Sequence, residues 1–151
     1  MANEARYSNV QADIVGIIHR WALEDEIDID AGEVAALQPG SFARLSDAAS
    51  KAELDVRVFG SWMWQTLTGG SYVNAASDLD VLIDVADAAG ADQAADFLRR
   101  EAAECPFKLD GELSFSGLGE VHWREYLNGE PVILVKSIAT VRMVRREELW
   151  K

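Results

Sequence analysis

The stretch VRVFGSWMWQTLTGGSYVNAASDLDVLIDV, Val56–Val85, decides the reading of the chain. In its second half, DLDVLIDV alternates with a period of two. Leu79, Val81, Ile83 and Val85 fall on one face of a strand, and Asp78, Asp80, Leu82 and Asp84 on the other. DVRVF upstream is a second strand, stopped by Gly60. SWMWQTL between them reads as a short helix capped by Ser61 and ended by Gly69-Gly70. Asp78 and Asp80 lie on the same side of their strand, about 7 Å apart. Two like charges that close raise one carboxyl pKa and cost stability, unless a cation lies between them. Hard carboxylate oxygens on a rigid strand suit magnesium or manganese, with substrate phosphates completing the shell. A glycine leaving a buried strand and opening a helix presents N–H groups and a hydroxyl to phosphate oxygens. Gly60-Ser61 followed by Asp78-x-Asp80 therefore reads as a phosphate cradle facing a metal clamp. Each half has an ordinary explanation, a helix cap for Ser61 and a turn with a solvated strand face for the acids. The combination is more specific than either part.

Outward from this stretch, the order of elements predicts an α/β (α+β) domain, a mixed β-sheet with flanking helices. Towards the N-terminus, Val10, Ile14, Ile17, Ile18 and Trp21 have helical spacing. EDEID then ends that run, and Pro39-Gly40 marks a break. Ser41 is the expected cap of a second helix with Phe42, Leu45 and Ala49 inward. Residues 1–52 are thus expected to be a helical segment and 53–151 the core of a single domain. After the Asp-x-Asp strand a helix is expected from about Asp92 to Glu104, closed by Pro106. Three strand-like runs follow, FKLDGELSF, VHWREYL and VILVKS, separated by the turn sequences SGLG and NGEP. The end, SIATVRMVRREELW, reads as a helix, with Arg142, Arg145 and Arg146 on one side.

Composition narrows the function classes. The 151 residues carry 26 acidic and 14 basic side chains, a formal charge of −12. Such a field repels a phosphate backbone, so nucleic acid is not the expected partner. No apolar run is long enough for a membrane span, and the N-terminus lacks the pattern of a signal peptide. The one cysteine, Cys105, excludes an internal disulfide and fits a reducing cytoplasm.

Gly60-Ser61 with Ser77-Asp78-Leu79-Asp80 resembles the signature of the polymerase-β-like nucleotidyltransferase superfamily. VRVFGSWMWQTLTG, SDLDVLID, KLDGELSF, VHWREY and ILVKS, in that order, are similar to the malonate decarboxylase holo-acyl-carrier-protein synthases, or phosphoribosyl-dephospho-CoA transferases. The resemblance runs from about Val56 to about Val144 and does not extend to the first fifty-two residues. It implies transfer of phosphoribosyl-dephospho-CoA from 2'-(5''-triphosphoribosyl)-3'-dephospho-CoA to a serine of an acidic acyl carrier protein. Pyrophosphate would leave. It also implies a third carboxylate on a neighbouring strand, for which KLDGEL offers Asp110 and Glu112, with Asp110 slightly favoured. Lys136 sits where the family pattern has a lysine and is a candidate phosphate contact. Arg124 is a candidate for phosphate or ribose, or a cross-strand partner for an acid. His122 receives no role. Trp62, Trp64 and Tyr72 are core residues or a stacking surface for adenine. The three C-terminal arginines, with Arg99 and Arg100, are a candidate docking patch for the carrier. Two other functions share the Gly-Ser and Asp-x-Asp elements. One is a minimal nucleotidyltransferase that modifies a protein hydroxyl from a nucleoside triphosphate, as in toxin–antitoxin pairs. The other is a non-catalytic partner module.

Overall fold

The computed structural model describes residues 41–74 and 76–151. The expected helix at Val10–Trp21, the break at Pro39-Gly40, and the capping and packing roles of Ser41 and Phe42 lie outside the described residues and side chains. The described elements begin with α1 (Ser41–Lys51), β1 (Val56–Phe59), α2 (Gly60–Thr68), β2 (Leu79–Val85) and α3 (Ala88–Glu104). They continue with β3 (Leu109–Phe115), β4 (Gly119–His122), α4 (Trp123–Leu127), β5 (Val132–Lys136), β6 (Val141–Arg145) and a 3₁₀ turn at Arg146–Trp150. The six strands form one mixed sheet in sequence order. β2 and β3 are parallel, joined through α3, and every other neighbouring pair is antiparallel.

Alternation along each strand divides the sheet into two unlike faces. Val56, Val58, Leu79, Val81, Ile83, Val85, Leu109, Leu113, Phe115, Val121, Ile133, Val135 and Val144 are all buried. They join Leu45, Ala49 and Trp62, the inner side of α3 and the inner residues of α4 in one cluster. On the opposite face every strand residue is half-buried or exposed. The helices thus contribute to a single side, and the carboxylates stand on the open one. Gly111 makes room for α3 and α4 against β3, since a Cβ there would run into Leu98 and crowd Trp123.

Four local expectations are corrected. Helix α2 has Phe59, not Ser61, at its cap, and no side chain closes that end. Gly60 turns the chain directly out of β1 with φ +71°, a left-handed conformation suited to glycine, so Ser61 already lies inside the first turn. Its other end follows the sequence: Gly69 is left-handed and its N–H donates to the Gln65 carbonyl at 2.9 Å. Helix α3 starts four residues earlier than Asp92, because the Asp87 carboxylate accepts from the Gly90 N–H at 2.7 Å and nucleates an extra turn.

VHWREYL is not one strand. β4 stops at His122, whose ring accepts the Arg124 N–H and caps α4. Trp123 and Tyr126, three apart, then turn inward. This break leaves one residue pair, Glu120 with Lys136, between β4 and β5, and the Glu125 carboxylate takes the Leu134 N–H at 2.6 Å.

The C-terminal run is a strand and a 3₁₀ turn rather than an α-helix. The β-branched Val141 and Val144 suit a pleated edge, and all five residues of β6 pair with β5. A tight turn between Ser137 and Thr140 sets that register, the Ser137 N–H donating to the Thr140 carbonyl at 2.8 Å. The three arginines consequently do not share a face. Arg142 and Arg145 alternate across the strand, while Arg146 bonds the carbonyls of Tyr126 (2.6 Å) and Glu130 (3.0 Å).

Candidate functional site

Strand register assembles the site. Phe59 lies opposite Asp80, so Gly60, the next residue, arrives against the Asp80 side chain. A Cβ on Gly60 would overlap Asp80 Oδ2, and glycine is therefore what allows the turn to approach the acid. Across the parallel pair, Asp80 is level with Asp110 and Leu82 with Glu112. Glu112 in turn is level with His122 on β4, and Glu120 with Lys136 on β5. Asp80, Asp110, Glu112, His122 and Lys136 thus share the open face, with Asp78 at the entrance to β2.

Three of the four carboxylates carry a basic partner. Asp78 is 2.5 Å from the exposed Lys108 ammonium. Glu112 is 2.5 Å from Lys136. Asp110 Oδ1 is 2.5 Å from His122 Nε2 and 3.7 Å from the Arg124 guanidinium, which also lies over the Trp123 ring at 4.4 Å. Asp80 is the exception, with no hydrogen bond or ion pair among the described residues. Partial burial pushes its carboxyl above the usual range, and the charges of Asp110 and then Asp78 push it further.

That imbalance is what a cation would correct. No three His, Cys, Asp or Glu side chains among the described residues enclose a metal ion by themselves. Asp78 and Asp80 instead offer hard oxygen donors, with Asp78 Oδ2 also held by Lys108. Such a donor set fits magnesium or manganese, which take one or two carboxylates and leave the other positions to phosphate and water.

The Gly-Ser turn lies at the same edge. Ser61 is half-buried, and its hydroxyl has no partner among the described residues. The loop after α2 is held by the Gln65 amide oxygen, which accepts from the N–H groups of Tyr72 and Val73 at 3.0 and 2.9 Å. A second set of bonds ties Asn74, Ala76 and Ser77 together just before Asp78.

The chain is similar to known proteins over most of its length. The family model described as phosphoribosyl-dephospho-CoA transferase MdcG C-terminal domain matches residues 24–147. The chain belongs to this family. It is 38% identical over 105 residues to the phosphoribosyl-dephospho-CoA transferase of Bradyrhizobium diazoefficiens, covering 70% of this chain and 46% of that protein. It is 37% identical over 115 residues to the protein of that name from Xanthomonas axonopodis pv. citri, covering 76% and 54%. The chain spans about half the length of the curated relatives it matches. No solved structure matches it.

Within this MdcG-type domain, Gly60 lies against Asp80 and Asp80 is level with Asp110, while Arg124 approaches Asp110, Lys136 reaches Glu112, and Asp78 stands at the entrance to β2. Of the two third-carboxylate candidates, Asp110 is the one level with Asp80. Glu112 lies one step further along the strand and is engaged by Lys136. The aromatic candidates divide: Trp62 is core at 2% exposure, while Trp64 and Tyr72 are exposed. Two site residues went unassigned in the sequence. Lys108 shares a strand face with Asp110 and Glu112 by period two, a signal KLDGEL does contain. His122 reaches Asp110 through pairing of β3 with β4, which local sequence does not encode.

Proposed function

We propose that this domain carries out the phosphoryl-transfer step of a phosphoribosyl-dephospho-CoA transferase. The donor is 2'-(5''-triphosphoribosyl)-3'-dephospho-CoA, and the acceptor is a serine of an acidic acyl carrier protein, that of malonate decarboxylase. The observation that carries the reading is Asp80, unpaired among the described residues, level with Asp110 and in contact with the Gly60 turn, in a chain of this family.

Asp78 and Asp80 would hold a magnesium or manganese ion. Bound there, such an ion would neutralise charge on the donor's phosphates and on the departing pyrophosphate. The chain's own groups do the rest. The N–H groups at the start of α2 and the Ser61 hydroxyl donate to phosphate oxygens. Lys108, Arg124 and Lys136 surround the carboxylates and supply positive charge for a polyphosphate that comes to lie over them. Asp110 accepts the proton of the acceptor serine as its oxygen bonds to the phosphorus nearest the ribose. The bond from that phosphorus to the outer two phosphates breaks, and pyrophosphate leaves with the electron pair.

Incubation of the protein with Mg²⁺, the triphosphoribosyl donor and the purified carrier, followed by intact-mass measurement, tests this reading. A carrier heavier by one phosphoribosyl-dephospho-CoA, and unmodified with Asp80→Asn, is expected. A nucleotidyl adduct formed from ATP instead would assign the chain to the protein-modifying nucleotidyltransferases. No adduct from either donor would favour a partner module.

A further inference from the structure

We infer that His122 is a positioning residue that fixes which oxygen of Asp110 faces the reaction, and that it does so as the neutral Nε2–H tautomer. The inference extends the proposed transfer reaction and rests on it for its catalytic consequence.

The ring makes two contacts, and the first determines the second. His122 Nδ1 accepts the Arg124 backbone N–H at 3.2 Å as the cap of α4. A ring nitrogen that accepts a hydrogen bond carries no hydrogen, so the single proton of a neutral imidazole is on Nε2. Nε2 is 2.5 Å from Asp110 Oδ1, and the hydrogen bond therefore runs from histidine to carboxylate. Oδ1 also accepts the Gly111 N–H at 3.1 Å, and the Arg124 guanidinium lies 3.7 Å away. With its donors collected on Oδ1, the carboxylate keeps Oδ2 without a partner among the described residues. Oδ2 is then the oxygen left to take a proton from an incoming hydroxyl. His122 touches neither substrate nor reacting atoms in this scheme. It joins the backbone at the start of α4 to the aim of a carboxylate on β3, much as an outer partner fixes the orientation of a metal ligand.

Two amide substitutions separate the contacts. His122→Asn places its oxygen near the Nδ1 position, so the cap persists and the reach to Asp110 is lost. His122→Gln extends an amide N–H towards Asp110 and gives up the cap. With the donor and carrier assay, His122→Asn is expected to lower kcat by about 10- to 100-fold with KM nearly unchanged and the melting temperature retained. His122→Gln is expected to recover most of that rate while melting at a lower temperature. Wild-type kcat in His122→Asn, or equal losses in both variants, would overturn the inference.

A second readout does not depend on turnover. The chain has two histidines, so His19→Gln leaves only His122 for ¹⁵N detection. Two-bond proton–nitrogen spectra of that metal-free protein at neutral pH should give the Nε2–H pattern. An Nδ1–H tautomer or a doubly protonated ring would overturn the assignment. If wild-type protein transferred nothing while the Nε2–H pattern was present, the proposed reaction would fail and the histidine geometry would stand.

Discussion

The two faces of the sheet are made from the same strands and differ in almost every physical respect. On the covered face, β2 contributes Leu79, Val81, Ile83 and Val85, and the first three are fully buried. On the open face the same strand contributes Asp80 and Asp84 one residue out of step. Asp84 is paired with Arg57 from β1, whereas Asp80 has no such partner among the described residues. The covered face therefore stabilises the fold through apolar burial, and the open face keeps a charge that no described residue pairs. Stability and chemistry are separated by a one-residue alternation, so substitutions only one position apart should act on different measurements.

The sharpest break comes at Asp80. Asp80→Asn keeps the shape and removes the charge, and transfer to the carrier should fall by at least about a thousandfold, a change of about 4 kcal/mol in the barrier. Stability should move the other way. The Asp80 carboxyl is held above its usual range, by burial first and by Asp110 and Asp78 next. The folded state thus binds its proton more tightly than the unfolded chain does. Stability is fully present below the unfolded carboxyl pKa, and it declines as pH rises through the raised folded value. Denaturant midpoints at neutral pH should be higher for Asp80→Asn than for wild type, because the variant has no carboxyl to ionise there. Added Mg²⁺ should raise the wild-type midpoint and leave that of the variant unchanged.

Next in size is the matched substitution on the covered face. Ile83→Ala removes a fully buried side chain from the cluster beneath α3 and should cost about 3 kcal/mol in urea unfolding. At temperatures where the variant remains folded, its transfer rate should be within a few-fold of wild type. A rate loss as large as that of Asp80→Asn would remove the separation between the faces.

Gly60→Ala tests the one position where both properties meet. A side chain at φ +71° is strained, and its Cβ would overlap the Asp80 carboxylate. The cost should be about 2 kcal/mol in stability. Unlike Ile83→Ala, this change should also lower the transfer rate under conditions where the protein is fully folded, because Asp80 has to move.

Much of this division was legible in the sequence, and the reasons for the exceptions are specific. Alternation in β1, β2, β3 and β5 is strong enough to give both the strands and their faces. The run VRMVRREELW is ambiguous, because Val141 and Val144 suit a helix by spacing and a strand by side-chain shape, and pairing with β5 decides the matter. WREYL carries no long apolar period, and its helix depends on a cap from His122. At the site, the spacing of Asp78 and Asp80 and the glycine before Ser61 were readable directly. The basic partners were less so. Lys108 shares a strand period with Asp110, but the contact of His122 with Asp110 and that of Lys136 with Glu112 exist only once β3, β4 and β5 lie side by side. The strands pair in sequence order, but register and side-chain reach decide which charges meet, so the acids and the candidates Arg124 and Lys136 were visible while Lys108 and His122 were placed only by the structure.

The smallest effect concerns the covered side, at the opposite end of the pH scale. The Tyr126 hydroxyl on α4 donates to the Asp92 carboxylate on α3 at 2.8 Å. Burial first, and then that bond and charge, push its phenol up to about 12. The folded state therefore retains the proton where the unfolded chain, titrating near 10, has lost it. This contribution to stability is whole below about pH 10 and disappears between about 10 and 12. Tyr126→Phe should cost about 1 kcal/mol at pH 8 through loss of the hydrogen bond. It should also flatten the fall in urea midpoint between pH 9.5 and pH 11.5, to the extent that Tyr126 causes that fall. An equally steep decline in the variant would assign the alkaline loss to other groups. Asp80→Asn should leave that alkaline decline untouched, because the Asp80 carboxyl is already fully ionised there in both states. The covered face would then weaken in alkali through a phenol that is held neutral, and the open face in rising pH from the acid side through a carboxylate that is forced to ionise.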